Sequence, residues 1–317
     1  MRILGIESSC DDTGIAVIEN NKILENIVLK QDHKHGVIPE YAARQHHVAI
    51  FEGVKSVFKN IDLIAYTNGP GLIGSLFVGS SFAKGLAYGS NIPFIGINHL
   101  EGHFFLPYWL YHFDLPFLAL LISGGHSLLI EVYDVDKYKI ISRSLDDAVG
   151  EVFDKVARHL GFDYPGGVHI EKAALNASHL FEFSFPNSMI DRDEFSFSGL
   201  KTAAIRQISI NDSDEKKADF CDQFQKHVAY LLIEKIAKFY LKNQIKNWVI
   251  SGGVASNKVI RSLIEEKASM FGAFVYYPPV ELCTDNGVMI AAVADLFFQK
   301  GFFVSSQYNL KPFCSAF

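Results

Sequence analysis

The sequence predicts an α/β protein built from two similar domains that face each other across a cleft. Three observations carry this expectation. The chain has 317 residues, longer than one typical domain. A unit of strand, small-residue turn, strand, turn, strand occurs twice. A strand running into a glycine-rich turn and then a helix also occurs twice. The boundaries expected are 1–113 for the first domain and 114–284 for the second, with the last helix, about 285–317, available to pack back on the first.

The elements follow in order. Arg2 to Ser8 and Gly14 to Glu19 are apolar runs of strand length, and Lys22 to Val28 follows the Asn20-Asn21 turn as a third strand. Pro39 to Phe58 has helical spacing. Leu63 to Thr67 reads as a strand leading through NGPGLIGS into an Ala/Gly/Leu helix that reaches about Leu86. Phe104 to Ile122 carries Pro107, His112, Asp114 and Pro116, so it reads as helix, loop and buried strand rather than a membrane span. The second meander is Phe117 to Ser123, His126 to Tyr133 and Lys139 to Ser144. Asp147 to Leu160 is a helix. Glu215 to Lys242 places Phe224, Val228, Leu231, Leu232, Ile236, Phe239 and Tyr240 at spacings of three and four, which predicts a long amphipathic helix. Trp248 to Ile250 then runs through SGGVASN into a helix from Lys258 to Ala268. The phenylalanine-rich stretch Phe181 to Ser198 fits neither period and reads as an ordered functional loop.

Composition narrows the function classes. With 49% apolar and 20% charged residues the chain can bury a large core. Cys10, Cys221, Cys283 and Cys314 are far apart without a C-x-x-C pair, which argues against a disulfide framework and suits a reducing compartment, the cytosol by default. The N-terminus reaches Glu7 too soon for a signal-peptide core. A net charge of −6 offers no global footprint for nucleic acid, so any polynucleotide must be held by local patches.

Among the motifs, GPGLIG at 69–74 matches the dinucleotide pattern G-x-G-x-x-G formally, but no acid follows at the ribose distance and the chain opens on a meander instead of a βαβ unit. HLEGH puts His99 and His103 one helical turn apart on one face, the spacing a divalent metal takes from two ligands, although the pair alone reads more simply as satisfied surface or core histidines. Glu101 is rotated away from both, so a metalloprotease lacks its base. Asp285, at the apparent start of the last helix, is the best third ligand; the plainer alternative is an acid that complements the helix dipole. SGGHS and SGGVASN are turns whose glycines let backbone amides approach an anion or carbonyl. Lys201 and Arg206 lie on a predicted helix and could meet phosphates. His33, His35, His46 and His47 read as solvent-facing.

Taken together, GIESSCDDTG, NHLEGH, SGGHS, DDAVGEVFDKVARHLGFDYPGG, FSFSGLKTA, SGGVASN and CTDNGVMIA stand in the order found in the TsaD family of tRNA adenosine threonylcarbamoyltransferases, and the chain resembles that family from Arg2 to about Ala292. The resemblance implies the duplicated actin/hexokinase/Hsp70-like (ASKHA) fold. It implies transfer of threonylcarbamoyl from threonylcarbamoyl-AMP to N6 of the adenosine on the 3′ side of the anticodon, in tRNAs reading ANN codons, with release of AMP. It further implies one divalent metal per subunit, Fe(II) first and Zn(II) second, on His99, His103 and Asp285. Substrate would lie against Leu121, Ile122, Ser123, Gly124, Gly125, Asp154, Gly167, Glu171 and Asn257. If the first turn faces phosphates, an acid there is repulsive and Asp11 needs another task; the chemical reading is that it orients or deprotonates the incoming amine. Glu171 stands where many relatives have Asp, and YPGGVHIE lacks the proline usual after YPGG. Implied partners are tRNA and either a paralogous TsaB-like dimer partner with a small TsaE-like ATPase or a second copy of the chain; no membrane is implied. A small-molecule kinase of the same fold and a non-catalytic scaffolding paralogue are the rival readings.

Overall fold

The computed structural model describes residues 1–31, 37–302 and 310–314. The chain divides into two units, Met1–His112 with Pro278–Phe317, and Phe113–Tyr277. The first unit opens on β1 (Arg2–Glu7), β2 (Thr13–Glu19) and β3 (Lys22–Leu29), an antiparallel meander. It continues through α1 (Pro39–Val57), β4 (Leu63–Gly69), α2 (Ile73–Ser90), β5 (Phe94–Asn98) and α3 (His99–Tyr111). The sheet order is β3-β2-β1-β4-β5, with β4 parallel to both β1 and β5. Strands β1 and β4 are central and covered on both faces, which is why RILGIE and LIAYTNG are near-continuous apolar runs. Leu4, Ile6, Ile15 and Val17 pack with Ile50 and Val54 of α1 and Ala83 and Ala87 of α2.

The second unit repeats this plan. β6 (Phe117–Ile122), β7 (Ser127–Asp134) and β8 (Lys137–Arg143) form its meander, followed by α4 (Val149–His159), α5 (Gly166–Ala174), α6 (Ser198–Gln207) and α7 (Asp214–Asn243). β9 (Asn247–Ser251), α8 (Lys258–Phe271) and β10 (Phe274–Tyr276) complete it. Its strand order, β10-β9-β6-β7-β8, is that of the first sheet with each strand replaced by its counterpart, so the duplicated α/β architecture is borne out. The core lies between the sheet and α7, where Phe153, Phe220, Phe224 and Trp248 are buried. Residues 178–197 have no helix, yet they are tightly held. Asp219 of α7 accepts the backbone N–H groups of Ser178, His179, Leu180 and Phe181. Phe195 and Phe197 are buried in the core.

The chain then returns to the first unit with α9 (Gly287–Gln299), which is buried at every position from Gly287 to Leu296 and apolar at each of them except Asp295, as a covered helix must nearly be. Its one charged residue in that stretch, Asp295, accepts the Trp109 Nε1–H at 2.9 Å. The helix lies on the face of the sheet opposite α1 and α2, because Gly5, between Leu4 and Ile6, points to it. Three glycines permit the approach. A Cβ on Gly5 would stand 2.1 Å from the Gly287 carbonyl oxygen, one on Gly14 2.5 Å from the Gly287 nitrogen, and one on Gly287 2.5 Å from the Ala16 nitrogen. The start of α9 is therefore in backbone contact with β1 and β2. Among the described residues no helix is long and apolar enough to cross a membrane.

Candidate functional site

β5 passes into α3 without a loop. Asn98 ends the strand and its side chain accepts the Leu100 N–H at 2.9 Å, satisfying one of the first-turn amides that a helix start leaves unpaired. His99 is thus the first helical residue, and His103 follows on the same face with its ring edge-on to that of His99, centroids 4.8 Å apart. Both imidazoles are buried. Asp285 does not begin α9: Asn286 takes the cap, accepting the Met289 N–H at 3.0 Å. Relieved of that task, the Asp285 carboxylate turns to the histidines, with Oδ1 3.1 Å from His103 Nε2 and 3.7 Å from His99 Nε2. Ligand atoms of the three residues all lie within 4.8 Å of one another. Donors about 2.1 Å from one tetrahedral ion stand about 3.4 Å apart, so two imidazoles and a carboxylate so arranged fit a divalent metal and leave a position open for a ligand.

Behind His99 lies Glu7, the last residue of β1 and fully buried. Its Oε1 accepts the Ser9 N–H at 2.5 Å, and its Oε2 accepts the Thr67 hydroxyl at 2.6 Å and lies 3.1 Å from His99 Nδ1. Burial alone would discharge both groups; the attraction between them outweighs it, so the Glu7 carboxyl is held below its ordinary value. For His99 burial is likewise opposed and overcome by Glu7 and Asp285, and its imidazole is raised to about 9. Sequence reasoning missed Glu7 because an acid ending an apolar strand looks like an exposed strand end.

The turn from Ser8 to Asp12 is built around the same cluster. Ser75 of α2 and His46 of α1 both hold the Cys10 carbonyl, at 3.1 and 3.0 Å, and His46 Nδ1 is 2.6 Å from the Thr13 hydroxyl. His46 is thus buried, contrary to the solvent-facing expectation; it shares the Ala42 and Ile50 face of α1 at spacings of four. His47 is exposed, and His33 and His35 lie outside the described residues. Asp11 and Asp12 are half-buried in the turn. Burial first, then repulsion from Asp11 and Asp285, lifts the Asp12 carboxyl to about 6. Burial and the same two acids push the Cys10 thiol up, so it is an inert side chain at neutral pH. The GPGLIG turn does not present an open cradle: Leu72 N–H donates to the Ser9 carbonyl, and a Cβ on Gly71 would stand 2.4 Å from that oxygen.

In the second unit the parallel pair β6 and β9 brings two predicted turns side by side, with Leu121 opposite Ser251. Leu121 and Ile122 are fully buried, while Ser123 folds the turn by accepting the His126 N–H and leaves Gly124 and Gly125 exposed with open space above them. Three other predicted residues bind helix starts. Asp154 of α4 accepts the Gly166 N–H of α5 at 2.7 Å, and Glu171 of α5 accepts the Lys258 N–H of α8 at 2.8 Å. Asn257 caps α8 through Ile260 N–H and donates to Gln225. Gly167 lies in the first turn of α5. This edge, at the carboxyl ends of β6 and β9, is where open α/β sheets take ligands. Lys201, by contrast, is paired with Asp147. Lys155 holds the other oxygen of that carboxylate at 2.8 Å.

Two repeats of one five-stranded plan give the chain an ASKHA-like duplicated α/β fold, with two histidines and an aspartate converging beside the first meander turn as a candidate metal centre. Solved structures share the fold. Full-length HypF, in its phosphate- and nucleotide-bound form, aligns with a TM-score of 0.63 at 14% identity over 95% of this chain and 56% of its own. A ROK family protein from Streptococcus pneumoniae TIGR4 aligns at 0.51 with 8% identity over 96% of this chain and 100% of its own. The family model of TsaD, tRNA N6-adenosine threonylcarbamoyltransferase, matches residues 22–292, and the chain belongs to this family. Relatives bearing that name include one from Thermosipho africanus, 41% identical over 98% of both chains, and one from Borrelia hermsii, 44% identical over 95% of this chain and 93% of its own.

Proposed function

We propose that this chain modifies tRNA by moving the threonylcarbamoyl group of threonylcarbamoyl-AMP to N6 of the adenosine on the 3′ side of the anticodon, in tRNAs reading ANN codons. The observation that carries the reading, beside family membership, is the convergence of His99, His103 and Asp285 from β5–α3 and the start of α9. These three would hold one divalent ion, Fe(II) or Zn(II), which supplies Lewis acidity toward the threonylcarbamoyl oxygens. Bond making joins N6 to the carbamoyl carbon, and the bond from that carbon to the phosphate oxygen of AMP breaks. The N6 proton leaves to a base of the Ser8–Asp12 turn, with Asp11 as the proposed acceptor. Exposed amides of Gly124 and Gly125 suit the carbonyl or phosphate oxygens of the adenylate. In this reading Asp154, Glu171 and Asn257 shape the edge by fixing the starts of α5 and α8. Partners of the reaction are tRNA and the adenylate, with a TsaB-like protein and a TsaE-like ATPase, or a second copy, as the proposed assembly, acting in the cytosol.

The test is to incubate the metal-loaded protein with unmodified tRNA, threonine, bicarbonate, ATP, the adenylate-forming synthase and the helper proteins, then to search the digested tRNA for threonylcarbamoyladenosine by mass spectrometry. Wild type is expected to form it and His99→Ala/His103→Ala to form none. Equal product from both proteins sinks the metal reading; no product from wild type sinks the activity.

A further inference from the structure

We propose that Glu7 is a positioning residue for the metal centre, a role that rests on the reading of His99, His103 and Asp285 as ligands. A carboxylate only accepts hydrogen bonds, so the 3.1 Å approach of His99 Nδ1 to Glu7 Oε2 requires a proton on Nδ1. A bare Nδ1 there would set two lone pairs against each other. Ser9 Oγ, 3.1 Å from the same nitrogen, can share that proton and does not replace the requirement. With Nδ1 kept as the donor, the lone pair available to a metal is on Nε2, the atom that faces Asp285. The arrangement fixes the ring's rotation as well, since β1 holds Glu7 and the two other donors, Ser9 N–H and Thr67 hydroxyl, hold its oxygens.

Glu7 also ties the imidazole to the Ser8–Asp12 turn, because the carboxylate that takes His99 Nδ1–H takes the Ser9 amide with its other oxygen. Three donors converge on this carboxylate. A glutamine at position 7 has one acceptor oxygen, while the Ser9 amide and His99 Nδ1–H take different oxygens of the carboxylate, so Glu7→Gln keeps the shape but cannot hold both the turn and the ring.

The test uses the full chain stripped with chelator and reloaded with Zn(II) or Co(II). Zinc affinity is read by competition with a chromophoric chelator, and the Co(II) protein is read by its d–d absorption and its exchangeable, hyperfine-shifted imidazole N–H resonances. Glu7→Gln is expected to lose about 10–100-fold in zinc affinity, to shift the d–d bands and to lose the slowly exchanging His99 N–H signal. Thr67→Val, which removes one donor that holds Glu7 Oε2 but leaves the His99 contact, is expected to lose less zinc affinity than Glu7→Gln and to keep the His99 N–H signal. If Glu7→Gln binds zinc as wild type does and keeps that signal, the proposal is overturned and Glu7 is only a structural acid. If wild type binds neither ion better than His99→Ala/His103→Ala, the metal reading itself falls and the proposal with it. Should Glu7→Gln not fold, Glu7→Asp, which withdraws the oxygens by one methylene, replaces it with the same expected loss and the same overturning result.

Discussion

Gly287→Ala tests how the candidate centre is assembled. The new Cβ would stand 2.5 Å from the Ala16 nitrogen, 2.7 Å from the Ile15 carbonyl carbon and 2.8 Å from the Gly5 oxygen. Carbon contacts are comfortable at about 3.5 Å and beyond, so the start of α9 must lift from β1 and β2 by roughly 0.7–1 Å. Every atom met is backbone, so no side chain can rotate out of the way. Overpacking of this kind costs about 1–3 kcal/mol. Asp285 lies two residues upstream, and its Oδ1 is 3.1 and 3.7 Å from the two imidazoles, so a lift of that size leaves the geometry a metal tolerates. Zinc affinity is expected to fall at least tenfold, about 1.4 kcal/mol. Urea unfolding of the metal-free protein measures the first quantity and chelator competition the second. Unchanged stability would refute the packing argument, and lost stability with unchanged affinity would refute its coupling to Asp285.

Three further outcomes follow from the same structure. Asp12 in the folded chain titrates near 6, above its unfolded value of about 3.9, so the stability it contributes is present at low pH and lost as pH rises from about 4 to about 6. Asp12→Asn should therefore raise the Tm of the metal-free protein at pH 7.5, on the order of 2 °C, and make no difference at pH 4; a rise of equal size at both pH values contradicts the burial and repulsion assigned to it. Asp219 is opposite in sign. Burial raises its carboxyl, but the amides of Phe181, His179 and Leu180 hold it well below the usual range, so its contribution is present above about pH 4 and lost as pH falls toward the folded value. Limited proteolysis between residues 178 and 197 should accelerate on acidification in wild type and be fast already at pH 7 in Asp219→Ala; slow cleavage of that variant at pH 7 removes the claim. Lys201→Ala should cost at most about 1 kcal/mol, the pair with Asp147 being partly exposed, and leave the salt dependence of tRNA affinity unchanged. A shallower salt slope would return Lys201 to the RNA-facing surface.

The fold was legible because its evidence is local and repeated. Each meander is a strand, a small-residue turn, a strand, a second turn and a third strand, and both sheets adopt one strand order. His99 and His103 stood out by their spacing, and Asp285 by its place ahead of a buried apolar helix. What could not be read was the division of labour between neighbours. Asn286, not Asp285, caps α9, because an amide oxygen suffices for Met289 N–H and leaves the charge for the histidines. Glu7 was invisible because its partners come from positions 9, 67 and 99, which only the packing of β1, β4 and α3 unites. His46 was within reach, since it shares a helical face with Ala42 and Ile50, but in the sequence it reads, together with its exposed neighbour His47, as solvent-facing. Lys201 looked like a basic contact because its acid, Asp147, lies 54 positions away.

The placement of α9 sets an order of events on the ribosome. The residues that cover β1 and β2 are made only after the contiguous stretch Phe113–Tyr277, a delay of roughly 10–30 s at ordinary elongation rates. During that interval the meander that emerges first carries an uncovered apolar face, while the part synthesised second can already close its own core. The earlier-born half is therefore the later to mature.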